Sequence, residues 1–207
     1  MDKLEQLCRE LEHFETDKWA IDVILKHVTL CTHVDDPCTG TGILAQAAKD
    51  AGHKVTAADI HSWGYPGTRI EDYLMRKEKY KFSTTVLINP PFSYACDFVE
   101  KAFDLGAEQV LCFQRKAWRE SRKRREFWRK YPPKRMYVCG ERATCWRHDI
   151  PVDEDGNRYK LVEDKETGEL VKQIMSNTPT PHAWFEFVKG NTDTPVEHII
   201  YKDGGIV

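Results

Sequence analysis

The chain has 207 residues, 41% of them hydrophobic, and its 31 Lys and Arg against 33 Asp and Glu give a formal net charge of -2. That length suits a single α/β domain over residues 1–207 with a core of its own, and the near-neutral balance excludes a protein that binds polyanions by bulk charge alone. No apolar run approaches a membrane span, Met1-Asp2-Lys3-Leu4-Glu5 lacks signal-peptide character, and the seven cysteines read as reduced thiols, so no membrane association and a cytoplasmic location are expected.

Leu4, Leu7, Cys8 and Leu11 recur at helical spacing. Thr16 or Asp17 is placed to cap a second helix through Trp19, Ile21, Val23, Ile24 and Val28. A short strand at His33–Asp36 then runs through Pro37-Cys38-Thr39-Gly40-Thr41-Gly42 into a helix from Ile43 to about Ala51. Glycines there let the backbone approach a ligand, and the helix start offers free N–H groups. The spacing Gly-x-Gly-x-x-Ala also fits a dinucleotide-binding turn, but Asp36 before the glycines would repel a pyrophosphate and welcome a cationic amino-acid end. The next strand, Lys54–Ala58, ends at Asp59, where a carboxylate can accept from both hydroxyls of a ribose. Asp72 stands about where an adenine amino group needs an acceptor.

The apolar run Thr84–Ile88 ends in Asn89-Pro90-Pro91-Phe92. The Asn side-chain oxygen and the Pro90 carbonyl are acceptors, and Pro91 restricts Pro90 to extended geometry, which aims that carbonyl. A planar amine donating both N–H groups to two fixed acceptors is pushed toward sp³ and frees its lone pair, while Phe92 is placed to stack on the ring carrying it. A helix from about Tyr94 to Leu105 and a strand at Gln109–Phe113 follow. Between Arg115 and Arg135 lies a basic stripe that includes Arg119, Arg122, Lys123, Arg125 and Arg129, opposed only by Glu120 and Glu126. Trp118, Phe127, Trp128 and Tyr131 recur within it at helical spacing, so one basic helix is expected, with its aromatic face on the sheet. Its outer face is either a solvated surface or a polyanion-binding one.

Strands at Arg135–Cys139 and Ala183–Val188 bracket an insertion, 148–181, with a polar turn at 153–157 and two short strands, Arg158–Val162 and Leu170–Ile174, around Thr167-Gly168-Glu169. It is a hairpin that either touches substrate or merely decorates the surface. Cys139, Cys145 and His148 lack a CxxC pair and a fourth ligand, so no metal is expected. Cys8, Cys31, Cys96 and Cys112 read as small core residues, and Cys38 as a loop-packing one. Alternating strands and helices argue for a mostly parallel sheet covered on both faces, with ligands beyond the carboxyl ends of its strands.

These residues resemble, in order, the motifs of the class I S-adenosylmethionine-dependent methyltransferases, and among them the enzymes that methylate the N6 amine of adenine in DNA. Phe14-Glu15-Thr16-Asp17-Lys18-Trp19-Ala20 is similar to the segment near the methionine end of the cofactor. The run from Asp36 to Gly42 is similar to the cofactor loop, and Asn89-Pro90-Pro91-Phe92 to the catalytic tetrapeptide. Small bacterial and phage enzymes share the run Pro132–Val138 and the strand Ala183-Trp184-Phe185.

The resemblance implies a Rossmann-like fold with an antiparallel last strand and S-adenosylmethionine as cofactor. It implies cofactor contacts at Phe14, Lys18, Asp36, Pro37, Cys38, Gly40, Gly42, Asp59, Ile60 and Asp72, and a nucleic-acid partner, DNA before RNA. Arg119, Arg122, Lys123, Arg125 and Arg142 are candidate substrate contacts. Trp146 either covers the second face of the base or packs at an edge. RNA adenine is chemically the same amine, and protein glutamine methylation uses a similar tetrapeptide. A cofactor-binding domain turned DNA-binding module is the non-enzymatic alternative. A nicotinamide oxidoreductase would leave the tetrapeptide unexplained.

Overall fold

The computed structural model describes residues 3–155, 157–164, 167–175 and 180–207; Gly156, within the polar turn expected at 153–157, lies outside them. In chain order the elements are α1 Lys3–Glu10, β1 Phe14–Thr16, α2 Lys18–His27, β2 His33–Asp36, α3 Ile43–Asp50, β3 Lys54–Asp59, β4 Arg69–Ile70 and β5 Thr84–Ile88. There follow α4 Ala95–Asp104, β6 Gln109–Arg115, α5 Arg125–Lys130, β7 Arg135–Cys139, β8 Cys145–Arg147, β9 Tyr159–Glu163, β10 Leu170–Ile174, β11 His182–Val188 and β12 Val196–Ile200.

Eight strands form one sheet in the order β12-β7-β11-β6-β5-β2-β3-β4. β2 pairs in parallel with β3 on one side and β5 on the other, so the chain reverses its winding there and leaves a crevice beyond the carboxyl ends of these strands. Side chains alternate across the central strands. Leu87, Leu111, Phe113, Tyr137 and Trp184 pack with Ile21 and Ile24 of α2 and Leu44 of α3 on one face. Val86, Ile88, Val110, Met136 and Phe185 pack with Phe98 and Val99 of α4 on the other. A sheet buried on both faces accounts for strands that read as nearly continuous apolar runs.

Several expectations need correction. β11 is antiparallel to both β6 and β7, and the chain's last strand, β12, lies outside β7 and parallel to it. The antiparallel strand therefore sits inside the sheet, not at its end. The basic stripe is no single helix but two 3₁₀ turns, Lys116–Arg119 and Arg122–Arg124, followed by the six-residue α5. Ser121 is extended at φ -156, ψ 122. A continuous helix would place the like charges of residues 119–130 against one another at i,i+3 and i,i+4. The aromatic half of that expectation holds, because Trp118 and Phe127 are buried beside Phe185 and Phe187. Asp17 does occupy the cap position of α2, yet its carboxylate accepts from the N–H (3.3 Å) and hydroxyl (3.0 Å) of Thr144. Cys8 and Cys112 are buried, whereas Cys31 and Cys96 are half-buried. The insertion carries β9 and β10 as a separate antiparallel pair.

One buried ion pair fastens the segment after β4 to the sheet. Arg76 donates to Asp35 of β2 at 2.6 Å, with the two side chains only 7% and 2% exposed. Tyr80 donates to the same oxygen at 2.7 Å, Arg76 also reaches Glu71, and its guanidinium lies over the Tyr73 ring. Asp35→Ala leaves that guanidinium buried and half-compensated, for an expected loss of about 3 kcal/mol in urea unfolding at unchanged m. A loss below about 1 kcal/mol, the scale of an exposed pair, would show that Asp35 is no anchor.

Candidate functional site

A cavity of ≈ 420 Å³ opens over the crevice at β2, β3 and β5. Its wall is made by residues 10–16, the loop Pro37–Thr41, Asp59, Ile60 and Trp63, residues 71–74, and Asn89, Pro91 and Tyr94. Of the residues expected to hold a cofactor, Phe14, Pro37, Cys38, Gly40, Asp59, Ile60 and Asp72 are therefore brought together.

Asp59 is buried at the end of β3. One oxygen accepts from the Gly40 N–H at 2.8 Å, and the other from the His61 N–H and the Trp63 indole at 3.1 and 3.2 Å. Burial raises its pKa, partly offset by these donors. Gly40 has φ +54, and a Cβ there would stand 3.0 Å from the His13 ring. Asp72 lines the cavity and caps the turn at Tyr73–Met75 through the Leu74 N–H.

Three expected residues lie outside the wall. Lys18 is exposed and paired with Asp22 at 2.6 Å, one helical turn along α2. Asp36 is fully buried beneath the loop. One of its oxygens accepts from the Cys38 N–H at 3.3 Å, the other has no hydrogen-bond partner among the described residues, and burial drives its pKa well up. Gly42 has φ +92 and admits no side chain, because a Cβ would fall 2.0 Å from the Tyr65 ring. It is required by that ring's approach to the start of α3.

The tetrapeptide is held from several sides. Asn89 Nδ2 donates to the Phe14 carbonyl and the Thr16 hydroxyl, both at 2.9 Å. A carbonyl only accepts, so the amide nitrogen is committed to β1 and the oxygen of Asn89, a residue of the cavity wall, is left as an acceptor. The Pro90 carbonyl is buried and accepts from Gln114 Nε2 at 3.4 Å, a long bond that leaves a lone pair. Phe92 is half-buried beside the Phe14 ring, with centroids 5.2 Å apart, and the Arg115 guanidinium lies 4.3 Å above it. Neither Pro90 nor Phe92 lines the cavity itself. The Ser93 N–H and hydroxyl both donate to Glu12.

Sequence reasoning missed Glu15, Trp63, Gln114 and Arg115. Glu15 accepts from the Thr41 hydroxyl (3.1 Å), His148 Nδ1 (2.9 Å) and Arg158 (2.8 Å). Burial opposes its ionisation, but these donors carry its pKa below the ordinary value. The only signal was alternation in Phe14-Glu15-Thr16, which turns Glu15 away from its neighbours. Cys139 and Cys145 are buried, with thiol pKa values pushed up to about 12 by burial. His148 instead gathers with His13 and Glu15, whose donor atoms lie within 4.8 Å of one another. A cation there would face the guanidinium already seated on Glu15, so the group reads as a bridging carboxylate.

Among the described residues the wall carries Glu10, Glu12, Glu15, Asp59, Glu71 and Asp72 and no Lys or Arg. Glu15 and Glu71 are paired with Arg158 and Arg76, which leaves Glu10, Glu12, Asp59 and Asp72 without an ion-pair partner among the described residues, a setting that suits a cationic ligand better than a pyrophosphate. Arg119, Arg122, Lys123, Arg125 and Arg142 are exposed and away from this wall. Trp146 is half-buried on β8, opposite Glu15.

The sequence matches no protein-family model and no curated protein. Among solved structures, a protein of Agrobacterium tumefaciens described as a predicted O-methyltransferase has a TM-score of 0.53 at 11% identity, covering 88% of this chain and 85% of that one. The 23S rRNA methyltransferase ErmE has a TM-score of 0.52 at 13% identity, covering 88% and 71%. At these identities the likeness is one of fold, and the chain has a Rossmann-like methyltransferase fold. No helix among the described residues is long and apolar enough to cross a membrane.

Beside the site, His182 is 2% exposed and stacks on Phe113, and its Nδ1 bonds the Ala143 carbonyl at 3.1 Å. Burial pushes its pKa down to about 4 from 6.5. The unfolded chain thus takes up this proton at a higher pH than the folded one. The contribution is full above about pH 6.5 and is lost as pH falls toward 4, about 3 kcal/mol over that window. Urea melts of wild type and His182→Gln between pH 7 and 4 should show the variant losing less stability across it. Parallel curves would mean that His182 charges equally easily in both states.

Proposed function

We propose that this protein transfers a methyl group from S-adenosylmethionine to the exocyclic N6 amine of adenine in DNA. The observation that carries the proposal is the fixed Asn89 amide: its nitrogen is held by Phe14 and Thr16, its oxygen is left as an acceptor, and the residue borders an acidic cavity. The residues fit that cofactor. Asp59 is available to the ribose hydroxyls, and Ile60, Leu74 and Asp72 to the adenine. Phe14, Gly40, Thr41 and Glu15 are available to the methionine end. Asp36 lies buried below the loop, and because burial raises its pKa, a cationic ligand bound above it would favour its ionised form.

When bound, S-adenosylmethionine supplies a methyl group on positively charged sulfur. The chain's own residues orient the acceptor. Asn89 Oδ1 accepts one N–H of the amine, and the Pro90 carbonyl, anchored by Gln114, offers its remaining lone pair to the other. Their joint pull localises the nitrogen lone pair. Phe92 supports the base, which is single-stranded or turned out of its helix. The amine becomes acidic as it is alkylated and loses its proton to water, so orientation and electrostatics supply most of the acceleration. The insertion adjoins this side, because Arg158 at its base bonds Glu15. Labelled S-adenosylmethionine offered with DNA, RNA and protein tests the substrate class, and labelled RNA or protein with unlabelled DNA would overturn the DNA assignment.

Asp59→Ala is expected to weaken S-adenosylmethionine binding by about 1–3 kcal/mol in calorimetry, the scale of lost charge-assisted hydrogen bonds. Unchanged affinity in a folded variant would remove Asp59 from the site. Asn89→Ala should bind the cofactor nearly as well yet transfer methyl at least about a hundredfold more slowly, since its contact tightens in the transition state. Turnover at the wild-type rate would end the amine-methylation proposal.

A further inference from the structure

Arg115 is the last residue of β6, the strand beside β5. Consecutive strand residues point to opposite sheet faces, and here the pair grips the tetrapeptide twice. Gln114 holds the Pro90 carbonyl, and Arg115 lies over the Phe92 ring. A guanidinium resting on an aromatic face keeps its N–H donors in its own plane, directed outward and able to fork onto a second acceptor. Arg115 is exposed, and among the described residues no carboxylate pairs with it. Its neighbour Lys116, by contrast, is 3.6 Å from Glu197.

An exposed guanidinium with no carboxylate partner, stacked beside a ring meant for a substrate, is placed to meet an anion that arrives with the substrate. Adenine and its amine are neutral, and so is a glutamine side chain. The phosphodiester attached to the target nucleotide is not. We infer that Arg115 binds a phosphate flanking the target adenosine, holding the nucleotide at Phe92 by a forked contact while Asn89 takes the amine. This inference rests on the nucleic-acid assignment proposed above. It gives Arg115 a role distinct from Arg122, Lys123 and Arg125, which stand farther along the chain on the exposed stripe and contact no residue of the tetrapeptide.

The test is a coupling measurement with single-stranded DNA oligomers containing one adenine. In one oligomer both flanking linkages are phosphodiesters; in two others the 5′ or the 3′ linkage is an uncharged methylphosphonate. Methyl transfer (kcat/KM) is measured for wild type, Arg115→Gln and the triple variant Arg122→Gln/Lys123→Gln/Arg125→Gln, with cofactor affinity and melting temperature as controls for folding. Wild type should lose about tenfold to thirtyfold on one of the neutral linkages, the scale of a charge-assisted contact. Arg115→Gln should be slowed comparably on the natural oligomer and lose little further on the neutral one. The triple variant should keep the full wild-type sensitivity to the linkage. Multiplying losses in Arg115→Gln, or wild type indifferent to both linkages, would overturn the role of Arg115 and leave the methylation proposal standing. Wild type that binds S-adenosylmethionine but methylates no oligomer of DNA or RNA would overturn the nucleic-acid assignment, and Arg115's role with it.

Discussion

The side-chain amide of Asn89 can face only one way, and much of the site depends on it. Its nitrogen is taken by the Phe14 carbonyl and the Thr16 hydroxyl of β1. β1 is three residues long and exists by pairing with β8, from Phe14 opposite Arg147 to Thr16 opposite Cys145. An isolated pair of that length has little stability of its own. Fastening it to the end of β5 gives the cavity its outer wall and gives the amide oxygen its direction. Glu15, between the two anchoring residues, points the other way and bonds Thr41, His148 and Arg158. One short strand thus joins the Asn89 amide, the loop Pro37–Thr41 and the root of the insertion.

The carboxylates at the strand ends are treated unequally. Asp35 is neutralised by Arg76, and its task is to hold the chain after β4. Asp59 is held by N–H donors that carry no full charge, so its negative potential persists in the cavity. Asp36 keeps one oxygen without a hydrogen-bond partner among the described residues, and its neighbours Asp35 and Asp59 add to the burial that raises its pKa. Folding alone would favour neutralising all three, because an uncompensated buried carboxylate is destabilising. The proposed binding of a cationic cofactor would require the opposite, and among the described residues the wall holds no Lys or Arg.

Much of this was legible because the central strands are buried on both sides. Thr84–Ile88 and Gln109–Phe113 announce themselves as apolar runs, and the motifs follow directly at their carboxyl ends. Local chemistry also singled out Asp59 and Asn89, which the fold places in the wall of one cavity. What escaped was whatever depends on contact between distant segments. The β1–β8 pairing joins residues more than 120 positions apart, and neither partner is long enough to show a period. β12 has only Ile200 buried, so it lacks the apolar signature of the inner strands. Lys18 and Glu15 lie in one motif, and only the fold turns one outward and the other inward. The broken basic helix shows periodicity at work without continuity, since Trp118 and Phe127 reach the same core from separate turns.

The bond between Glu12 and Ser93 joins the cavity wall to the turn Phe92–Tyr94. Glu12 sits at φ 48, a backbone conformation that a non-glycine residue adopts at a cost of roughly 1 kcal/mol or more. On the methylation proposal, any displacement of residues 10–16 to admit or release the cofactor would break this bond, whose other half adjoins Phe92. Loading and release then share one free-energy ledger with ring placement. On that proposal, a cofactor that holds this wall in place would lower the work of seating a base, and by reciprocity a seated base would tighten the cofactor's hold. The order in which the two partners arrive can thus affect how fast each is captured, while their joint affinity is the same by either route.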